Sequence, residues 1–519
     1  RALPVGVLAV AAFAAGALWA MRPGHEERQM VTRYVTAWTH NEFAVMFALL
    51  DRPSQEATTE SRFASAMESA ADLATLTSLA KLNVGSREGN HIAVAMVVHT
   101  KLWGTLHETL LVPLTGSGSE ARVHYSDTLL FPGLRSGETL HRQISLPPRG
   151  TLEASDGTPL AQGPDRSSPI PDVAGQIVGR VGPIPSRLAA TYAARGYPAR
   201  SHVGLDGLEL VFQDRLAGQA GGRLLADHRI LASAAPVPAN PVTTTISPGM
   251  ERAAVAALGG QFGGIVVMNP RTGALLALAG IAYSALQPPG STMKIITATG
   301  ALQARIATLS TVFPYATEAT IEGYALQNAN GEDCGGTLIN SFAVSCNSVF
   351  APLGAKLGAK RLVATAERFG FNHPSSILGA AESTIPPAGA IGDDLAVGSS
   401  AIGQGLVQTT PLEMTDVAAT IAMGGRRPIP TLLAHQPPRF VRVTSARVAH
   451  EVQQMMVAVV RYGTGTSAQI PGVQVAGKTG TAELRNTSAP STDSGTGTTQ
   501  TQTSNPQNTD AWFVGYAPV

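Results

Sequence analysis

Three short polar strings, far apart in the chain, constrain it more than any other feature: Ser291-Thr292-Met293-Lys294, Ser345-Cys346-Asn347 and Lys478-Thr479-Gly480-Thr481. A serine hydroxyl is a weak nucleophile unless a base lies within hydrogen-bond reach. Residues three apart share one face of a helix, so Lys294 falls on the same side as Ser291. A lysine serves as that base only where burial or positive neighbours destabilise its ammonium. The positive end of a helix opened by Ser291, and Lys478 if it is brought near, both push in that direction.

The local context suits this chemistry. Pro288-Pro289-Gly290 punctuates the chain, and the spacing predicts a helix from Ser291 to about Leu302. Val473 to Gly477 leads into the third string as a strand. Alternation there puts Thr479 and Thr481 on one side, and Gly480 leaves room for close backbone approach. Each string alone is weak. Ser and Asn favour loops anyway, and an isolated serine–lysine pair reads as a helix start with a solvated lysine. Ser78-Leu79-Ala80-Lys81 has the same spacing at the end of a helical run, without partner strings, and reads as a solvated helix end. Order and position carry the signal: Ser345 follows Ser291 by 54 residues, and Lys-Thr-Gly occurs once.

The 519-residue chain is long enough for two to four domains. Its net charge of +1 gives no electrostatic case for nucleic acid. Only six lysines occur, and two of them fall inside the strings. The twelve histidines show no H-E-x-x-H pattern, and no C-x-x-C, P-loop or dinucleotide fingerprint is present. No metal or cofactor is expected.

Leu3 to Met21 is an uncharged apolar run, close to the ~20 residues that span a bilayer. It reads as a transmembrane anchor over 1–22, with a cleaved signal peptide as the alternative. Cys334 and Cys346 form a disulfide or stay as two small buried thiols; spacing alone leaves both readings open. Residues 25–140 read as an α+β unit: helices over Met30–Leu50 and Arg62–Leu79, then strands at His91–Val98, Thr109–Val112 and Ala121–Tyr125. After the proline-spaced linker Pro236–Pro241, a helix is expected over Ile246–Leu258. A hairpin follows, Phe262–Val267 and Ala274–Ala279, turned by Asn269-Pro270-Arg271-Thr272-Gly273. Leu484 to Thr509 is rich in Ser, Thr, Gln and Asn and reads as a flexible excursion between two strands.

Taken in this order, the three strings resemble the motif set of serine acyl-transfer enzymes that act on D-alanyl peptides and are trapped by β-lactams. Other segments narrow the resemblance to the class B penicillin-binding proteins. Pro148-Arg149-Gly150-Thr151-Leu152, Asp156-Gly157-Thr158-Pro159-Leu160 and Arg215-Leu216-Ala217-Gly218 resemble their linker domain, although Ala154-Ser155 stands where the family has Asp-Arg. Ile402-Gly403-Gln404-Gly405, Thr409-Thr410-Pro411-Leu412 and Gly463-Thr464-Gly465-Thr466 resemble stretches of the catalytic domain; Met423 departs from the family's usual Asn. Tyr125 to Leu134 resembles the end of a nuclear-transport-factor-2-like domain, as in the methicillin-resistance type.

The resemblance implies a multidomain α+β and α/β protein. Its parts would be the anchor, a nuclear-transport-factor-2-like domain (25–140), a linker or dimerisation domain (144–236) and a transpeptidase domain (243–519) that lacks a final strand and helix. It implies Ser291 as nucleophile, Lys294 as base, Ser345 as proton relay and Asn347 as partner of the donor peptide. Lys478 would supply positive potential, Thr479 and Thr481 would hold the substrate carboxylate beside Gly480, and the amides of Ser291 and Thr481 would form an oxyanion hole. The expected activity is D,D-transpeptidation of peptidoglycan stem peptides outside a single-pass membrane anchor, with β-lactams as covalent inhibitors. A glycosyltransferase or other cell-wall synthesis protein is the expected partner. A carboxypeptidase or β-lactamase-like hydrolase, or a non-catalytic sensor, is the alternative.

Overall fold

The computed structural model describes residues 24–483 and 509–519. The apolar run Leu3–Met21 and all but the last residue of the 484–509 excursion lie outside them. Among the described residues, no helix is long and apolar enough to cross a membrane. The chain divides into two compact units. One holds the described residues up to Gly150 with Gly182–Val203 and Asp214–Asn240; the other holds Thr151–Val181, Gly204–Gln213 and Pro241–Val519.

Among the described residues of the first unit, four helices precede the sheet: α1 (His25–Thr39), α2 (Phe43–Ala48), α3 (Arg52–Ala57) and α4 (Glu60–Leu73). The single helix expected over Met30–Leu50 is therefore divided. Asn41 takes a left-handed φ of 58° between α1 and α2, a conformation Asn tolerates better than most residues. Asp51 caps α3 by accepting from Ser54 N at 3.0 Å. The strands β1 (Leu76–Glu88), β2 (His91–Thr100), β3 (Gly104–Thr115) and β4 (Arg122–Val123) form one sheet in that order. β2 alternates strictly between half-buried and buried positions, the period expected of a sheet with one face on a core. Val31, Tyr34, Trp38, Phe63, Val94 and Val112 are among the residues of that core. β5 (Leu140–Ser145) pairs with β6 (Gly221–Ala226), which pairs in turn with β7 (Arg229–Ala234).

The expected helix end at Ser78–Lys81 is corrected. α4 stops at Leu73, Thr75 adopts a φ of 47°, and Leu76 onward is β1, paired antiparallel with β2. Local Ala/Leu content favoured a helix, and pairing with a long β-rich neighbour overrode it. Lys81 is not a solvated cap: its Nζ donates to Thr36 Oγ1 at 2.5 Å.

The second unit carries the three motif strings. α5 (Pro248–Leu258) packs beside the hairpin of β8 (Gly264–Asn269) and β9 (Ala274–Gly280). A 3-10 turn, Gly290–Met293, runs into α6 (Lys294–Gln303). An irregular region follows, with β10 (Val312–Ala316), the hairpin β11 (Glu318–Ile321) and β12 (Tyr324–Gln327), and β13 (Cys334–Thr337). Then come α7 (Leu338–Ala343), α8 (Asn347–Leu357), α9 (Ala359–Phe369), α10 (Pro411–Ala422) and α11 (Ala446–Tyr462). β14 (Ala476–Glu483) and β15 (Thr509–Tyr516) close the unit as an antiparallel pair. α6 is buried along its length, from Lys294 to Leu302, because α8, α9 and α11 all pack on it. A helix enclosed on every side can hold a lysine only where polar partners meet it.

Candidate active site

Lys294 and Lys478 are both 0% exposed. Burying an ammonium is unfavourable unless acceptors surround it, and here they do. Lys294 Nζ donates to the Ser345 carbonyl at 2.7 Å and to Asn347 Oδ1 at 2.7 Å, and lies 3.2 Å from Ser345 Oγ. Lys478 Nζ donates to Ser345 Oγ at 2.9 Å and to its neighbour's carbonyl, Thr479 O, at 3.0 Å. The rings of Phe350 and Phe342 flank the two amines, with centroids at 5.7 and 5.5 Å. The three strings thus converge on Ser345.

Desolvation pushes both lysines down. Lys294 falls well below the ordinary lysine range, by burial first and by the charge of Lys478 second. Burial lowers Lys478 to about 7. A neutral Lys294 amine has two hydrogens and one lone pair. The two short contacts go to carbonyl oxygens, which can only accept. The hydrogens therefore belong there, and the lone pair is left for a hydroxyl. No hydrogen bond joins Lys294 to Ser291 Oγ among the described residues; the amine is oriented by the second string. A fully buried amine takes the stronger carbonyl acceptors first.

Ser345 sits in the break between α7 and α8 with a φ of 63°. A non-glycine residue there costs on the order of 1–3 kcal/mol and persists only where its surroundings over-determine it. The restraints are visible. Its own amide donates to Phe342 O at 3.2 Å, and the next amide, Cys346 N, donates to Ser341 O at 2.9 Å. Cys346 is disulfide-bonded to Cys334 on β13.

Ser291 lies in the 3-10 turn that heads α6, at the positive end of the helix. Two glycines let other backbone close on this turn. Gly290 has a φ of 52°, and a Cβ there would lie 2.5 Å from Thr481 O. A Cβ on Gly403 would lie 2.0 Å from Gly290 O. The Ile402–Gly405 stretch thus backs the serine turn from one side and β14 approaches from the other. Along β14, Lys478, Gly480 and Ala482 are buried, while Thr479 is partly exposed and Thr481 exposed. The alternation turns the lysine inward and both threonines outward.

Sequence reasoning left several contributors unassigned. Asn347 Nδ2 donates to Gln327 O at 2.9 Å, so the β11–β12 hairpin holds the amide with its oxygen toward Lys294. Buried Asn328 donates to Ala316 O and Glu332 O and accepts from Ser348 N at 2.8 Å, tying the hairpin to α8. The signal was faint: Asn330-Gly331 marks a turn, but nothing local says that it abuts the second string. Thr464 hydrogen-bonds Thr479.

The cluster of Ser345 with two buried lysines, beside the helix start that carries Ser291, has the residue types that serine acyl transfer requires. Comparison with known proteins agrees with that class. Residues 263–519 match the penicillin binding protein transpeptidase domain, and residues 150–229 match the penicillin-binding protein dimerisation domain. The chain thus carries a dimerisation and a transpeptidase domain of the penicillin-binding protein type, in a multidomain fold, and its homologues are class B penicillin-binding proteins. It is 33% identical over 338 residues to peptidoglycan D,D-transpeptidase PbpA of Mycolicibacterium smegmatis, covering 53% of this chain and 64% of that relative. The chain thus spans just under two thirds of that relative's length. Among solved structures, it is similar to the D,D-transpeptidase domain of a peptidoglycan glycosyltransferase from Eggerthella lenta. There the TM-score is 0.56 and the identity 29%, over 72% of this chain and 90% of that one. It is also similar to penicillin-binding protein A of M. tuberculosis in its penicillin G acyl-enzyme complex. That match has a TM-score of 0.52 and 27% identity, over 66% of this chain and 87% of that one.

Proposed function

We propose that this chain is a peptidoglycan D,D-transpeptidase that works through an acyl-serine on Ser291 and is acylated there by β-lactams. One observation carries the reading: two buried lysines meet at the hydroxyl of Ser345. Burying two amines side by side is unfavourable for folding even with acceptors around them, and it is useful where a neutral amine must take a proton.

In this mechanism Lys294 takes the Ser291 proton as Oγ attacks the penultimate D-alanine carbonyl. The amides of Ser291 and Thr481 hold the developing oxyanion. Ser345 passes the proton on to the leaving D-alanine amine, with Lys478 completing the relay. An acceptor amine from a second stem peptide then resolves the acyl-enzyme. Asn347 orients the donor peptide, and Thr479 and Thr481 hold its carboxylate. The names of the relatives support this chemistry, since the M. smegmatis relative is a D,D-transpeptidase and the M. tuberculosis structure is a penicillin G acyl-enzyme.

The described part of the N-terminal unit, helices followed by an antiparallel sheet, fits a nuclear-transport-factor-2-like domain, and the sequence Leu3–Met21 fits a membrane anchor. The proposal places the enzyme on the outer face of the cell membrane beside a glycan-polymerising partner. The test is mass spectrometry of the full chain after exposure to penicillin. A single penicilloyl adduct on the peptide bearing Ser291, absent in Ser291→Ala, is the expected result. No adduct, or an adduct that survives Ser291→Ala, overturns the proposal.

A further inference from the structure

The Gly463-Thr464-Gly465-Thr466 turn joins α11 to the segment leading into β14, and its geometry is tightly fixed. A Cβ on Gly463 would lie 2.1 Å from Ala343 O; one on Gly465 would lie 3.0 Å from Val459 Cγ1. Both are closer than side-chain carbons ordinarily come, so two glycines allow the turn to seat against α7 and α11. Between them, Thr464 N donates to Ala343 O at 3.1 Å. Ala343 is the last residue of α7, two before Ser345. The Thr464 hydroxyl forms a short hydrogen bond with Thr479 Oγ1 and lies 3.4 Å from Ala343 O. One residue therefore spans the second and third strings.

The direction of that threonine–threonine bond has a chemical consequence. Each hydroxyl has one hydrogen. If Thr479 spends its hydrogen on Thr464, it presents only lone pairs to a carboxylate, which also only accepts. If Thr464 donates instead, Thr479 keeps its hydrogen for the ligand. Thr464 has an alternative acceptor in Ala343 O at 3.4 Å, too long to compete well.

We propose that Thr464 is a positioning residue for the carboxylate of the acyl donor: it donates to Thr479 Oγ1 and so turns the Thr479 hydroxyl hydrogen toward the bound carboxylate. The inference rests on the acyl-transfer reading above, in which Thr479 meets that carboxylate. It gives the turn a role in substrate affinity rather than in the chemical step. Thr464 is exposed, so its side chain can change without opening the core.

The test compares acylation of the full chain and its Thr464→Val and Thr464→Ser variants by penicillin G and by penicillin G methyl ester, read by intact-protein mass spectrometry. With penicillin G, Thr464→Val should acylate roughly tenfold more slowly at subsaturating drug, the worth of one hydrogen bond to a charged group. The deficit should lie in the concentration dependence and shrink at saturation, and Thr464→Ser should stay near the parent. With the methyl ester, parent and Thr464→Val should acylate alike. The acid-to-ester ratio is taken within each variant, so a loss of folded protein cancels. An equal deficit on both probes, or none with penicillin G, overturns this inference while leaving the acyl-transfer reading intact. Failure of the parent chain to form any adduct on Ser291 overturns that reading, and this inference with it.

Discussion

Lys478 Nζ donates to Ser345 Oγ at 2.9 Å from a position with no solvent exposure. Its only other hydrogen bond among the described residues goes to Thr479 O. Ser345 Oγ is thus its sole side-chain acceptor, as well as a neighbour of Lys294. Ser345→Ala removes that acceptor and breaks the proposed proton route while leaving Ser291, Lys294 and the oxyanion amides in place. Acylation by labelled penicillin should slow by about 10²–10⁴, the usual worth of a positioned proton-transfer group. The adduct should still map to Ser291. An unaltered rate would show that protons leave by another path.

The pH dependence follows from the two depressed lysines. The proposed mechanism makes Lys294 the base, a role open only to the neutral amine, so acylation should rise with pH through its lowered pKa. Lys478 titrates at about 7 and loses its positive charge above that value. The rate should therefore climb on the acid side and decline as Lys478 is neutralised. Lys478→Met removes one of the two influences that depress Lys294. Its residual acylation should show the rising limb displaced to higher pH. A rate profile of parent and variant, run from the acid side through the Lys478 titration near 7, locates the limb; a limb that stays put would show that Lys478 does not act on Lys294.

The same shift has a sign for stability. A lysine in the unfolded chain keeps its proton to about pH 10.4. Folded Lys478 loses it near 7. Between these values the unfolded state binds the extra proton, so this lysine's contribution to stability rises with pH. Below about 7 both states are protonated and the full burden of the buried charge remains. Urea unfolding should find Lys478→Met more stable than the parent at pH 6, with the difference shrinking toward pH 10. A difference that grew with pH would contradict burial of a charged amine.

Much of this site was legible in the sequence because acyl-transfer chemistry fixes residue types at short spacings. Ser291 and Lys294 are one helical turn apart, and strand alternation set Lys478 against Thr479. The hairpin of Phe262–Val267 and Ala274–Ala279 and the helix before it were legible for the same local reason. What escaped depended on distant partners. Ser78 to Lys81 became strand because β2 lies beside it. The amide orientation of Asn347 is set by a hairpin carbonyl 20 residues away. Thr464 meets Thr479, 15 positions further along the chain. No window of local periodicity contains such relationships.

The disulfide between Cys334 and Cys346 joins β13 to the residue beside Ser345, closing a separation of 12 residues. Constraining a loop of that size in the unfolded chain contributes about 3 kcal/mol in the chain-entropy picture. Replacing both cysteines by serine should lower the urea midpoint accordingly. It should also slow acylation, because Ser345 would hold its left-handed φ with one restraint fewer. Unchanged acylation in the folded variant would show that the carbonyl contact to Lys294 and the Phe342 and Ser341 bonds suffice.

Gly290 supplies the sharpest separation between backbone strain and site geometry. Its φ is 52°, and a Cβ there would lie 2.5 Å from Thr481 O and 3.0 Å from Ala482 N. Gly358, between α8 and α9, has a comparable φ of 80° but nothing within 4 Å of a Cβ. Both Gly290→Ala and Gly358→Ala carry a penalty for a positive φ, of order 1–3 kcal/mol. Only Gly290→Ala also pushes β14 away from Ser291, and with it the Thr481 amide that the mechanism places in the oxyanion hole. Losing one such donor costs about 10²–10³ in rate. Compared at equal folded fraction, Gly358→Ala should acylate like the parent and Gly290→Ala at least about a hundredfold more slowly. Equal rates for the two would mean that the strand can withdraw from the serine turn without harm, and that the close approach of Gly290 to Thr481 serves packing alone.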